Sequence, residues 1–261
     1  MLRMLAETWR ARELLWALTE REIKTRYRRS FLGLLWSLVT PLYQVLLMTV
    51  VVRFLWKQPD DNYSVKFLCG LLPWSFFASA LPTSCSAILR ARDIVKRVAL
   101  PRQVLPWSVV LSCMFHYVMS MVVLLLILLL IPVAFGPTFL FLPVLMLIEL
   151  LMVCGLSLIA ATLHTFYQDV EYIITNLIMA FYFLTPVIWH VDKPWISDPG
   201  KRFLIMFNPM AVFCEGSRRI ILEQRLPDPI HLLTATAFSL LCFFGGLWFF
   251  RRREWQLPEV V

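Results

Sequence analysis

Residues 103–148 read QVLPWSVVLSCMFHYVMSMVVLLLILLLIPVAFGPTFLFLPVLMLI, 46 positions without an Asp, Glu, Lys or Arg. A membrane-spanning helix needs about 20 mostly apolar residues, so this stretch holds two, and Gly136-Pro137 supplies the turn between them. The same silence recurs at 30–52, 67–89, 150–168, 172–191 and 229–250. Six spans follow, over about 32–55, 66–89, 106–133, 138–164, 171–190 and 231–250. The runs are continuously apolar with no alternation of period two, which selects helices over a β-barrel. The fold class expected is therefore an all-α membrane protein.

Composition agrees. Of 261 residues, 59% are hydrophobic and 16% charged, against about 25% charged in ordinary soluble domains. A soluble globule of this make-up lacks the polar surface to cover itself, which argues against a soluble enzyme, a disordered regulator and a nucleic-acid-binding domain. The net charge of +8 gains meaning from its placement. An even number of spans puts both termini on one side, where 16 Lys and Arg residues fall, against 9 on the other. The positive-inside rule places both termini in the cytoplasm.

Residues 1–30 form a separate cytoplasmic segment ahead of the six-span unit at 31–261. It carries eight Lys/Arg and four Glu, unlike a cleavable signal peptide. Wound as one helix, Leu5, Trp9, Trp16, Ile23 and Tyr27 fall within about 40° of one another, beside a basic arc of Arg3, Arg10, Arg21, Lys24 and Arg28. That pattern suits an amphipathic helix lying in the membrane interface. Its bland alternative is a positive-inside anchor. Thr19 and Glu22 have the spacing of a capping box, which would split the segment in two. The loop 90–105 mixes charges with Ile94, Val95, Val98 and Leu100 and reads as a short amphipathic helix ended before Pro101. It either touches headgroups or docks a soluble partner. The outer loop 192–228 contains short apolar runs separated by Asn208-Pro209, a favourable helix start with Asn capping and Pro in the first turn. Met210, Phe213, Ser217 and Ile220 share a face there. Two short re-entrant helices before the last span are expected, at a pore mouth or simply packed in protein.

Chemical motifs are sparse. No G-x-x-x-x-G-K-[ST] phosphate loop occurs, so ATP hydrolysis is not expected of this chain. H-E-x-x-H and G-x-S-x-G are missing as well. The six cysteines are scattered without a C-x-x-C pair, and no metal site or catalytic residue is expected. Glu149 is the most conspicuous ionisable group within a span, either functional or a helix-to-helix hydrogen bonder. His116 and His164 are isolated and read as packing groups, and Gln168-Asp169-Val-Glu171 as the cap of span 5.

Several pieces in chain order carry a family resemblance: EIKTRYRRSFLGLLWSLVTP (22–41), KRVALPRQVLP (96–106), FYQDVEY (166–172), TPVI (185–188), FNPM (207–210), Glu215-Gly216 and FFRRRE (249–254). Together they resemble the permeases of ABC-2 transporters that export bacterial polysaccharides such as O-antigen, teichoic acid and capsule. The resemblance implies a multi-pass protein of the bacterial cytoplasmic (inner) membrane. It would act as a homodimer with two copies of a P-loop ATPase, which would hold the ATP and Mg; this chain would need no cofactor of its own. The cargo implied is a lipid-linked glycan, with periplasmic or outer-membrane export proteins as further partners. Carried over by position, Arg90, Arg92, Asp93, Ile94, Lys96 and Arg97 would couple to the ATPase. Arg26, Tyr27, Arg28, Arg29, Gly33 and Trp36 would sit at the substrate entrance. Tyr43, Tyr172, Tyr182 and Phe183 would line the channel, and Trp189, Trp195, Asn208, Pro209 and Arg218 would belong to the outer gate. Two positions depart from the family pattern: Arg90-Ala-Arg-Asp93 stands where an Asn-containing stretch is common, and Gln168-Asp169 where Arg-Asp is frequent. The rival readings are an ABC-2 permease for a drug or lipid, and a membrane enzyme acting on lipid-linked sugars.

Overall fold

The computed structural model describes residues 2–27, 36–51, 63–93, 100–129, 136–189, 198, 200 and 205–256; among them the chain is helical and contains no strand. Ten α-helices are described: α1 (Leu2–Arg10), α2 (Arg12–Tyr27), α3 (Trp36–Val50), α4 (Tyr63–Cys85), α5 (Ala87–Arg90), α6 (Val104–Leu128), α7 (Leu142–Phe166), α8 (Val170–Leu184), α9 (Pro209–Arg218) and α10 (Pro229–Arg253). Each of the six expected spans overlaps one of α3, α4, α6, α7, α8 and α10. Four are long and apolar enough to cross a membrane: α4, α6, α7 with the short 3-10 turn Pro137–Phe141 ahead of it, and α10. The described part of α3 has 15 residues, and α8 is a shorter apolar helix of 15.

The fifth expected span stops six residues early for a local reason. Pro186 disfavours the helical conformation at the residue before it, and Thr185 is extended at φ −96°, ψ 137°. Elsewhere the ends follow the chemistry of their residues. Asp228 caps α10 by accepting from the Ile230 N–H at 2.9 Å, Pro229 occupies the first turn, and Arg251, Arg252 and Arg253 close the last turn against the helix dipole.

α4 is the central rod. It packs against α3, α6, α7, α8 and α9, and most of its side chains are buried. Phe76 of α4 stacks on Tyr117 of α6 at 5.4 Å between ring centroids. On the other side of the bundle α10 lies along α7, and the two backbones meet at Gly155 and Gly246. A Cβ on Gly155 would land on the Cys242 carbonyl, and one on Gly246 on the Gly155 backbone. Apolar burial gives no net drive between helices surrounded by lipid, so close backbone approach at small residues holds such a pair by dispersion.

The N-terminal segment departs from the expected geometry. It is split at Ala11, not by a capping box: Thr19 lies inside α2, where its hydroxyl donates back to the Leu15 carbonyl at 2.8 Å. Polar and apolar residues are well segregated in α1 but hardly at all in α2. The buried face is Met4, Thr8, Leu18 and Thr19, whereas Trp9 and Trp16 are 71% and 69% exposed. Two anchors show how α2 sits. Leu18 packs with Ala91, Val104 and Leu105, and the Arg26 guanidinium reaches Cys113 Sγ at 3.5 Å. Moving eight residues along α2 matches moving eight or nine along α6, so the two helices run side by side in the same direction over this length.

Candidate functional site

Two polar constellations stand at opposite ends of α4. At its C-terminal end, Ser86 leads into α5 and on to Arg92 and Asp93. Arg90 donates to the Thr83 carbonyl at 2.9 Å and thereby braces the last turn of α4. Arg90, Arg92 and Asp93 are all exposed, while Ile88 and Ala91 beneath them are buried. Ile94, Lys96 and Arg97 lie outside the described residues. Where the chain is described again, Arg102 donates to the Glu254 carbonyl at 2.7 Å, and Gln103, fully buried, donates to the Met4 carbonyl at 3.3 Å and to Thr8 Oγ1 at 3.2 Å. Arg102 and Gln103, just ahead of α6, are thus pinned to the end of α10 and to the N-terminal helix.

At the other end of α4 the residues converge on one guanidinium. Arg218, the last residue of α9, is 4% exposed. Its Nε donates to the Lys66 carbonyl at 2.8 Å, Nη1 to the Pro186 carbonyl at 2.5 Å and Nη2 to the Val187 carbonyl at 2.5 Å. Nη1 also meets Glu215 Oε2 at 3.2 Å, and Glu215 is itself 2% exposed. Gly70 makes room, since a Cβ there would strike the guanidinium. Around this centre, Tyr63 donates to the Ile188 carbonyl at 2.5 Å, and Thr49 of α3 pairs with Ser64 of α4 at 2.5 Å. Asn208 caps α9 by accepting from the Met210 N–H at 3.0 Å, and its amide donates to Thr185 Oγ1 at 3.0 Å, with Pro209 in the first turn. Trp189 Nε1 donates to the Phe183 carbonyl at 3.2 Å. Together these contacts latch α9 and the turn after α8 onto the start of α4. Trp195 lies outside the described residues.

Between the two ends, α3 and α8 flank α4 and present aromatic side chains away from it. Tyr43 is 59% exposed, Tyr172 73% and Phe183 63%; Tyr182 turns inward and packs on Trp74 at 5.6 Å. Trp36, the first residue of α3, is 47% exposed. Of the expected entrance residues, Arg26 is exposed and leans toward α6, and Tyr27 ends α2. Arg28, Arg29 and Gly33 lie outside the described residues. Glu149 is fully buried in α7, with the Tyr117 side chain beside it and no hydrogen-bond partner at either carboxylate oxygen. His164 Nε2 stands 3.6 Å from Glu171 Oε2 across the α7–α8 turn. Among the described residues, no group of three or more His, Cys, Asp or Glu side chains converges as a metal site would require.

Sequence reasoning missed Gly70, Gln103, Gly155 and Gly246. The glycines within apolar stretches were the available signal for close backbone approach; nothing marked Gln103 as buried.

The sequence model of the ABC-2 type transporter family matches residues 13–222, most of the chain. This chain belongs to the ABC-2 type transporter family. It is 34% identical to the O-antigen export system permease protein RfbA of Myxococcus xanthus over the whole length of both proteins. It is 26% identical to RfbA of Klebsiella pneumoniae, with 95% of each chain covered. It is also 26% identical to the polysialic acid transport protein KpsM of Escherichia coli, covering 91% of this chain and 92% of that one. The exposed segment at Arg90–Asp93 and the latch at Arg218 therefore belong to a membrane permease.

Proposed function

We propose that this permease exports a lipid-linked polysaccharide across the bacterial cytoplasmic membrane, as two identical copies working with two copies of a separate P-loop ATPase. The observation that carries this reading is end-to-end similarity to an O-antigen export permease, with a capsule-type transport protein covered almost as fully. ATP and Mg belong to the ATPase, and both termini of the permease are cytoplasmic. A hydrated polymer cannot cross hydrocarbon and needs a wet corridor. The exposed aromatic faces of α3 and α8 suit a corridor formed where two copies meet, because aromatic rings stack on sugar faces. Arg92 and Asp93, exposed beyond α5, are the groups that receive the ATPase, and its closure on ATP moves the spans as rigid bodies. Export of this kind hands the glycan to periplasmic or outer-membrane proteins.

The test removes the permease from its native cell and follows the glycan. Surface polysaccharide disappears and lipid-linked glycan accumulates on the cytoplasmic side. An affinity-tagged chain captures a P-loop ATPase in equal amount, and Arg92→Glu with Asp93→Arg weakens the capture while leaving the permease folded. Unchanged surface glycan in the deletion strain overturns the cargo. Failure to capture any ATPase overturns the machine.

A further inference from the structure

The cytoplasmic end of α10 carries a basic, aromatic notch that neither the coupling segment nor the outer latch uses. Arg252 stands over the Trp248 ring with its guanidinium carbon 5.4 Å from the centroid. Arg253 stands over Phe166 of α7 at 6.0 Å and donates to Gln256 Oε1 at 3.2 Å. Trp248, Phe249, Arg252, Arg253, Trp255 and Gln256 line an open recess of about 440 Å³. One wall is firm, because Arg102 holds the Glu254 carbonyl at 2.7 Å.

What the recess takes follows from the helix face below it. Leu241, Phe244, Trp248, Arg252 and Trp255 recur at spacings of three and four and so share one side of α10. Leu241 is 69% exposed, Phe244 45%, Trp248 53% and Trp255 64%. The opposite side of the helix is the one pressed against α7 through Gly246. A single exposed stripe thus runs from hydrocarbon depth up to Trp248, Trp255 and the Arg252 guanidinium at the headgroup level, where Arg253 closes the recess from the α7 side. A soluble anion uses only the top of such a surface, and a protein docking from the cytoplasm does not reach Leu241. A phospholipid uses all of it, with tails along Leu241 and Phe244 and phosphate between Arg252 and Arg253.

We propose that this face of α10 is a binding site for one anionic glycerophospholipid. Arg252 and Arg253 pair with its phosphate and headgroup charge, and Trp248 and Trp255 frame the glycerol region. Occupancy steadies the end of α10 and, through Arg102, the segment that leads into α6. The proposal concerns a lipid of the surrounding bilayer and does not depend on which cargo is exported.

The test titrates the detergent-purified chain with dioleoyl phosphatidylglycerol and, separately, dioleoyl phosphatidylcholine, and counts bound lipids by native mass spectrometry. One tight phosphatidylglycerol per chain is expected, with phosphatidylcholine at least tenfold weaker. At about a fivefold loss of affinity for each surface cation removed, Arg252→Gln with Arg253→Gln lowers phosphatidylglycerol affinity roughly thirtyfold. Arg252→Lys with Arg253→Lys stays within a few-fold of wild type, which separates charge from folding. Equal binding of the two lipids overturns the proposal, as does wild-type affinity in the Gln variant. Full competition by glycerol phosphate reassigns the recess to free anions. Loss of ATPase capture in the Gln variant, with lipid binding intact, reassigns it to the partner protein.

Discussion

Replacing Arg218 with Met is a sharp perturbation of this fold, because the guanidinium touches α4, α9 and the turn after α8 together. Met keeps most of the side chain's length and removes its charge and donors. The backbone carbonyls of Lys66, Pro186, Val187 and, at 3.5 Å, Trp189 then lose this donor, and Glu215, 2% exposed, is left with the Arg219 Nε at 3.8 Å. Breaking a buried ion pair from one side costs about 3–5 kcal/mol, because the remaining charge stays desolvated. Each orphaned carbonyl adds about 1 kcal/mol or more, though not additively. A loss on the order of 5 kcal/mol is expected. At about 2–4 °C per kcal/mol for a chain of this size, the unfolding midpoint falls by roughly 10–20 °C.

The assay is size-exclusion of the detergent-solubilised permease after stepwise heating, and its control is the double variant Glu215→Leu with Arg218→Met. Removing both charges restores about 2–3 kcal/mol, since an apolar pair of similar volume avoids the stranded carboxylate. Gly70→Ala, which pushes a methyl into the guanidinium, falls between wild type and Arg218→Met. A midpoint for Arg218→Met within about 3 °C of wild type would refute the latch. A double variant no more stable than the single one would show that the carboxylate was never stranded.

Two further outcomes follow from the packing. Gly155→Ala puts a methyl against the Cys242 carbonyl, backbone that cannot turn aside; overpacking of about 1–3 kcal/mol or more should lower both yield and midpoint, whereas Gly245→Ala, with open space around it, should be neutral. Gln103→Leu removes the donors to Met4 and Thr8 and should free α1 from the start of α6. Trypsin cleavage at Arg10 or Arg12 then accelerates by about tenfold, for a local loss of about 1–2 kcal/mol, with little change in the global midpoint; an unchanged cleavage rate counts against that tether.

The helical stretches were legible because charge is so costly in hydrocarbon that its absence marks them without reference to packing. Asn208-Pro209 was legible for an equally local reason, since both the cap and the first-turn proline act within three residues. Positions decided by long-range approach were not. Arg218 reads in sequence as a charge on an outer loop, and only the fold brings Lys66, Pro186 and Val187 around it. The N-terminal segment was legible on one side only: Trp9 and Trp16 form a stripe left outside the protein, whereas the less apolar line of Met4, Thr8 and Leu18 that packs on it carried no mark in the sequence. Thr19 and Glu22 had the spacing of a cap, but the helix was already under way.

The placement of the two constellations says how α4 works. With 23 residues it is about 35 Å long, close to the thickness of a bilayer core. Arg90 braces its C-terminal end, and Arg218 grips the Lys66 carbonyl at the other. Between them it is packed on five helices, so it cannot bend freely without disturbing all of them. On the proposed function, a push delivered at Arg92 and Asp93 would be carried to α9 by translation or tilt of one body. α3 and α8, both packed on that rod, would move with it. Weakening the latch therefore predicts a particular failure: in Arg218→Lys, which keeps the charge but loses the fork that serves four carbonyls at once, the partner ATPase still binds while export falls. If export instead persists at the wild-type rate in a variant whose latch is broken, α4 does not transmit the stroke, and the outer helices open by some route independent of it.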